Sequence, residues 1–181
     1  MFYALLGLGL LMDGAFLFRI VLFCAAVHEA GHILAYLICA KCLPKIACSA
    51  GGLCMSRTRS LSPKARLCVL CAGPLANLML AGALYWRAQE SASYLIYLIA
   101  AVSLCTGIYN LLPFGALDGA QFLEFWLPAA WLPLYGRIQC TALITLCCVL
   151  PICSLFSEWP VQARVAAVIA PLYLFLQNTL S

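Results

Sequence analysis

Residues 15–40 read AFLFRIVLFCAAVHEAGHILAYLICA, and this stretch decides the fold. It is apolar for longer than the roughly 20 residues a bilayer-spanning helix needs. Yet His28, Glu29 and His32 stand near its middle. An ionisable group inside a span costs about 2.5–3.5 kcal/mol on an insertion scale and marks a functional position. On a helix, residues four apart share a face. His28 and His32 therefore present two imidazoles to one metal ion, and Glu29 beside them can take a proton from a water which that metal activates. They are the only two histidines in the chain. The bland alternative is a pair of core histidines bonded to backbone. It leaves three costly groups in five residues with nothing to compensate them, whereas a divalent cation does so.

The rest of the chain fits a membrane setting. Its 181 residues are 66% hydrophobic and only 9% charged, while a soluble domain is nearer half and a quarter. Further apolar runs are Phe2–Met12, which is short, then Leu67–Trp86, Tyr94–Leu112, Ile138–Phe156 and Val165–Leu180. The expected fold is an all-α polytopic membrane protein with about six transmembrane helices. Between the second and third runs lies a polar loop, 41–66. Its segment Ile46–Leu53, with Gly51-Gly52, predicts a short β-hairpin or re-entrant loop. The Trp- and Pro-rich stretch Phe122–Tyr135 reads as interfacial. We expect one membrane-embedded domain over 1–181, its catalytic core at about 15–119, with additional helices at about 138–156 and 165–180. No soluble regulatory domain and no removable signal peptide are expected.

Six of the ten basic residues lie in the one loop: Lys41, Lys45, Arg57, Arg59, Lys64 and Arg66. That concentration marks a cytoplasmic loop and accounts for the net charge of +4. No aromatic residues interleave with the basic ones as a base-stacking surface requires, so nucleic acid is not an expected partner. Twelve cysteines would suggest disulfides in a short secreted chain. Here Cys24, Cys39, Cys68, Cys71, Cys105, Cys147 and Cys148 sit inside apolar runs, where cysteine behaves as a small hydrophobe. Cys39 and Cys42 have no second pair at zinc-finger spacing.

A catalytic zinc ion usually takes three protein ligands. Asp13 and Glu90 fall in short links, and Glu124 and Glu158 near interfacial segments. Asp118 ends the stretch Asn110-Leu-Leu-Pro113-Phe-Gly115-Ala-Leu-Asp118-Gly119. Pro113 and Gly115 break the helix there, and irregular backbone at membrane depth is tolerated only where protein or a cavity surrounds it. On spacing alone, Asp118 is equally a metal ligand or a cap for the helix starting near Gly119.

His28-Glu29-Ala30-Gly31-His32 followed by Asn110–Gly119 resembles the paired signature of the site-2 protease family of intramembrane zinc metalloproteases. Gly73-Pro74-Leu75-Ala76-Asn77 resembles a third family motif, on the central helix of a three-helix catalytic core. The three occur in family order. The resemblance implies one Zn2+ per chain, held by His28, His32 and Asp118, with Glu29 catalytic. The layout is most similar to the stage IV sporulation protein FB branch, in which a span precedes the HExxH helix and two follow the Asp-Gly motif. That branch implies a multi-pass protein of a bacterial cell membrane, with loop 41–66 cytoplasmic, acting in regulated proteolysis of a membrane-tethered transcription regulator. The partners so implied are a membrane-associated protein substrate and the lipid bilayer, with room for further copies or membrane regulators.

Asn110 flanks a broken helix and reads as a substrate or oxyanion donor. Asn77 reads as packing between helices, and Gly73 and Pro74 as a point of close approach or a kink. Ala30 and Gly31 are small and would leave space beside the metal. The alternative function is a membrane metal-binding or metal-transport protein without protease activity. It would need ligands on several spans, and only one such cluster is visible.

Overall fold

The apolar runs become helices bounded by polar or proline-containing links. The computed structural model describes residues 16–43, 45–49, 52–56, 61–115, 117–156 and 172; for 45–49, 52–56 and 154–156 only the backbone is described. The first and last predicted runs, Asp13, Arg57, Arg59 and Glu158 lie outside the described residues. Helix α1 spans Leu17–Ala40. Strands β1 (Lys45–Ser49) and β2 (Gly52–Ser56) pair antiparallel in the register Lys45 to Ser56 and Ser49 to Gly52. Helix α2 spans Pro63–Ser91 and α3 Tyr94–Asn110. Helix α4 covers Asp118–Trp126, and a 3-10 turn at Ala129–Trp131 leads into α5, Leu132–Phe156.

Helix α2 begins where Ser62 accepts a hydrogen bond from the Ala65 amide and Pro63 occupies the first turn, the position at which a missing N–H costs nothing. Helix α5 starts six residues before the expected Ile138. Its second residue is Pro133, which suits a first turn as well as it suits a loop, so the proline did not mark a boundary.

Helices α1, α2 and α5 with its leading turn are long and apolar enough to cross a membrane. At about 1.5 Å per residue, the 17 residues of α3 reach about 26 Å, a little under a ~30 Å hydrocarbon core. Leu34, Ile38, Met79, Trp86, Ile144 and Val149 are exposed, as side chains facing lipid must be. By length and composition this is an integral membrane protein.

The chain divides into two packing units, up to Leu111 and from Leu112. In the first, α2 packs against both α1 and α3. Partner numbers fall on one helix as they rise on the other, so neighbours are antiparallel: Gly31 approaches Ala72 and Ala76, and His32 meets Val69. Tyr36, Ala35 and Ala40 of α1 bury against Val69, with Cys42, Leu61 and Ala72 around them. The approach is close because the residues are small. A Cβ on Gly31 would stand 2.6 Å from the Ala72 carbonyl oxygen, and one on Gly107 would stand 3.2 Å from the Pro74 carbonyl oxygen. Gly31 therefore serves helix packing, a correction to its reading as space beside the metal. In lipid, where apolar surface gains little from leaving the solvent, such close packing is what associates helices.

In the second unit, α4 follows an irregular segment and the 3-10 turn packs on α5. The cysteines whose side chains are described carry free thiols.

Candidate metal centre

His28 and His32 lie eleven and fifteen residues into α1, near mid-span, and both are buried. Their rings stand edge to face, with centroids 4.7 Å apart. Nδ1 of His32 lies 2.7 Å from the carbonyl oxygen of Val69 on α2. A carbonyl only accepts, so Nδ1 carries the proton, and in the neutral ring Nε2 carries the lone pair. That Nε2 faces Nε2 of His28 at 3.1 Å. Two lone pairs at this separation repel unless a proton or a cation lies between them. Two nitrogens each ~2.0–2.1 Å from one zinc ion at a tetrahedral angle would stand ~3.3–3.4 Å apart. The pair is within a few tenths of an ångström of that separation. The residues thus fit a zinc ion, and the Val69 carbonyl supplies the outer hydrogen bond that metal-ligating histidines characteristically make.

Gly73 explains why the His32 ring can lie where it does. A Cβ there would meet Nε2 of His32, and would stand 2.6 Å from Cε1 and 2.8 Å from Cδ2. The ring rests on the bare backbone of α2. Pro74, the next residue, is buried inside the helix. It withholds the N–H that the Leu70 carbonyl would otherwise receive.

Glu29, half-buried, stands on the same turn as His28. Asn77 is fully buried. Ser103 of α3 donates through Oγ to its backbone carbonyl at 2.9 Å and lies 3.4 Å from its side-chain oxygen Oδ1. Cys24, one turn before His28, reaches the same Ser103 hydroxyl. The three-helix contact therefore carries a small polar node, Cys24–Ser103–Asn77, one turn from the histidines. Asn110, half-buried at the end of α3, donates through Nδ2 to the Thr106 carbonyl of its own helix at 3.0 Å.

Asp118 is the first residue of α4, half-buried, and Leu117 takes the N-cap position before it without a side-chain cap bond. Asp118 is thus the first helical residue, not the N-cap. The segment ahead of it is irregular. Gly115 has a positive φ of 58°, and the Leu117 amide turns back to the Phe114 carbonyl at 3.3 Å. The Pro113 carbonyl accepts from Gln139 Nε2 at 3.0 Å and from the Tyr135 hydroxyl at 3.2 Å.

No protein-family model and no curated protein matches the chain. Among solved structures, the site-2 protease from Methanocaldococcus jannaschii is similar. The TM-score is 0.65 at 19% identity, over 99% of this chain and 84% of that one. The fold is that of a site-2 protease. At this identity the likeness concerns the course of the backbone, and the chemistry rests on the residues described above.

Sequence reading missed the Val69 carbonyl, the Ser103 node and the two donors on Pro113. A backbone acceptor has no letter in a sequence. Ser103 and Gln139 are each one of a few polar residues in an apolar run, a weak signal in a membrane helix.

Proposed function

We propose that this chain is an intramembrane zinc metalloprotease that hydrolyses a peptide bond of a membrane-associated protein within or near the bilayer. The observation that carries the reading is the facing Nε2 pair of His28 and His32 at 3.1 Å, with His32 fixed by Val69 and Glu29 alongside. A structural histidine pair has no need of an adjacent half-buried carboxylate. The site-2 protease fold supports the same reading.

His28, His32 and Asp118 supply the donor set for one Zn2+, one ligand atom each. When bound, the ion activates water and polarises the scissile carbonyl. Glu29 takes the proton of the attacking water and passes it to the leaving amide nitrogen, so that nitrogen departs as a neutral amine. The carbonyl oxygen gains charge as the bond forms, and in this proposal the remaining N–H of Asn110, at the end of α3, donates to it. Gly73 and Pro74 shape the α2 backbone on which His32 rests, and Asn77 holds α2 to α3. The substrate must be extended, because a helix shields its carbonyls. The hairpin β1–β2 offers strand edges on which an extended peptide could pair.

In this proposal the whole of 1–181 acts as one membrane-embedded protease domain, with loop 41–66 facing the cytoplasm of a bacterial cell. Layout alone supports the stage IV sporulation protein FB branch, and with it a transcription-regulator substrate. The test is reconstitution of the purified protein in lipid with membrane-protein substrates, with and without a zinc chelator. Wild type should cleave, and chelator should stop it. Glu29→Gln should bind zinc normally while cleavage falls about 10²–10⁴-fold. Zinc uptake into vesicles without cleavage of any substrate would replace this reading with the metal-transport alternative.

A further inference from the structure

The irregular segment ahead of Asp118 has to satisfy its backbone without a helix ladder. Helix α3 ends with the Leu111 amide bonded to the Ile108 carbonyl at 3.1 Å. A continuing helix would send the Leu117 amide to Pro113. That amide instead bonds the Phe114 carbonyl, so among the described residues the Pro113 carbonyl receives no backbone donor. In hydrocarbon an unsatisfied carbonyl is strongly disfavoured. Two side chains of α5 meet it, Gln139 at 3.0 Å and Tyr135 at 3.2 Å. They stand four apart and so share one face of the helix. Gln139 is 5% exposed, a buried amide in a mostly apolar helix. Such a residue is costly there unless its bond is needed. Both lone pairs of a single carbonyl oxygen are thereby engaged, five residues before Asp118, with the positive-φ Gly115 between.

We propose that Gln139 and Tyr135 are positioning residues: they clamp the Pro113 carbonyl and hold the loop that presents Asp118. A long helix that carries no motif residue becomes a working part of the site. The consequence for metal binding rests on Asp118 being a zinc ligand. The restraint on the loop does not.

Two variants test it. Gln139→Met keeps length and removes the donor; Tyr135→Phe removes one hydroxyl and little else. Amide hydrogen exchange of Leu117, Ala120 and Gln121, whose bonds close the loop and the first turn of α4, should speed up in both, more in Gln139→Met. The zinc dissociation constant, measured by competition with a chromophoric chelator, should weaken about 10-fold or more in Gln139→Met, the usual scale for losing an outer-shell support. Added zinc should restore cleavage. Exchange at wild-type rates in both variants would overturn the clamp. Faster exchange with an unchanged zinc constant would overturn its role at Asp118. If the wild type binds no zinc, the proposed function falls, and the exchange rates still decide the clamp.

Discussion

Gly73→Ala is the sharpest perturbation the structure offers, because it adds one carbon and nothing else. That carbon would stand 2.6 Å from Cε1 of His32 and 2.8 Å from Cδ2, and closer still to Nε2. Ordinary carbon contacts begin near 3.4 Å, so the ring must withdraw by at least about 0.8 Å, the difference between 2.6 and 3.4 Å. The hydrogen bond from Nδ1 to the Val69 carbonyl is 2.7 Å long. Stretched by that much it reaches about 3.5 Å, where it no longer counts as a bond. Loss of such an outer bond weakens metal affinity by about 10–100-fold, or ~1.4–2.8 kcal/mol at tenfold per 1.4 kcal/mol. Displacement of Nε2 adds to that. The assay is a zinc dissociation constant from chelator competition, read beside the thermal midpoint in detergent. Gly82→Ala is the internal control: it lies on the same helix, and a Cβ there meets nothing within 4 Å. It should leave zinc affinity unchanged and, by helix propensity, leave stability equal or higher by up to ~1 kcal/mol. If Gly73→Ala bound zinc as tightly as wild type, the account of how His32 is seated would be wrong.

Two further outcomes follow from the same geometry. Ser103→Ala removes the donor to the Asn77 carbonyl and should cost about 1 kcal/mol of stability, read as a lower unfolding midpoint with an unchanged zinc constant; a lower zinc affinity at wild-type stability would mean that Ser103 acts on the metal site instead. The Leu53 amide of β2 faces away from β1, because Cys48 and Leu53 are a pair that exchanges no hydrogen bonds; Leu53→Pro removes that edge donor, and loss of one pairing bond worth ~1 kcal/mol corresponds to about a fivefold fall in kcat/KM, whereas unchanged cleavage kinetics would rule out strand pairing of the substrate on β2.

What was legible in the sequence is what residue type and spacing encode. The run around residues 15–40 became α1, with the two histidines on one face. The Pro113–Gly115 break became irregular backbone ahead of α4. The role of Gly31 was not legible. A small residue between two histidines serves equally as room for a metal or as room for a neighbouring helix, and only the position of Ala72 decides. The start of α5 was hidden because proline fits both a loop and a first turn. The supports of the site were hidden for a different reason: Val69 and Pro113 act through carbonyl oxygens, which every residue has. The sequence can show that a carbonyl is released, as Pro74 releases that of Leu70, but not which side chain comes to meet another.

The seating of His32 shows why helix packing and metal chemistry are not separable here. A ring nitrogen of α1 reaches a backbone oxygen of α2 only if the two helices lie nearly backbone to backbone. Gly31 against Ala72 provides that distance, and Gly73 leaves the ring a surface to lie on. In water such contact would be one source of stability among several; in lipid, where packing itself associates helices, it is a principal one. The small residues therefore do two things at once. They hold α1 to α2, and they bring the Val69 carbonyl within reach of Nδ1, which places the proton on that nitrogen and the lone pair on Nε2. Gly31 does the first mainly through backbone contact, and Gly73 the second through the imidazole. The histidine motif on α1 and the Gly-Pro stretch on α2 are thus two halves of one device. Neither half would orient a metal ligand without the other.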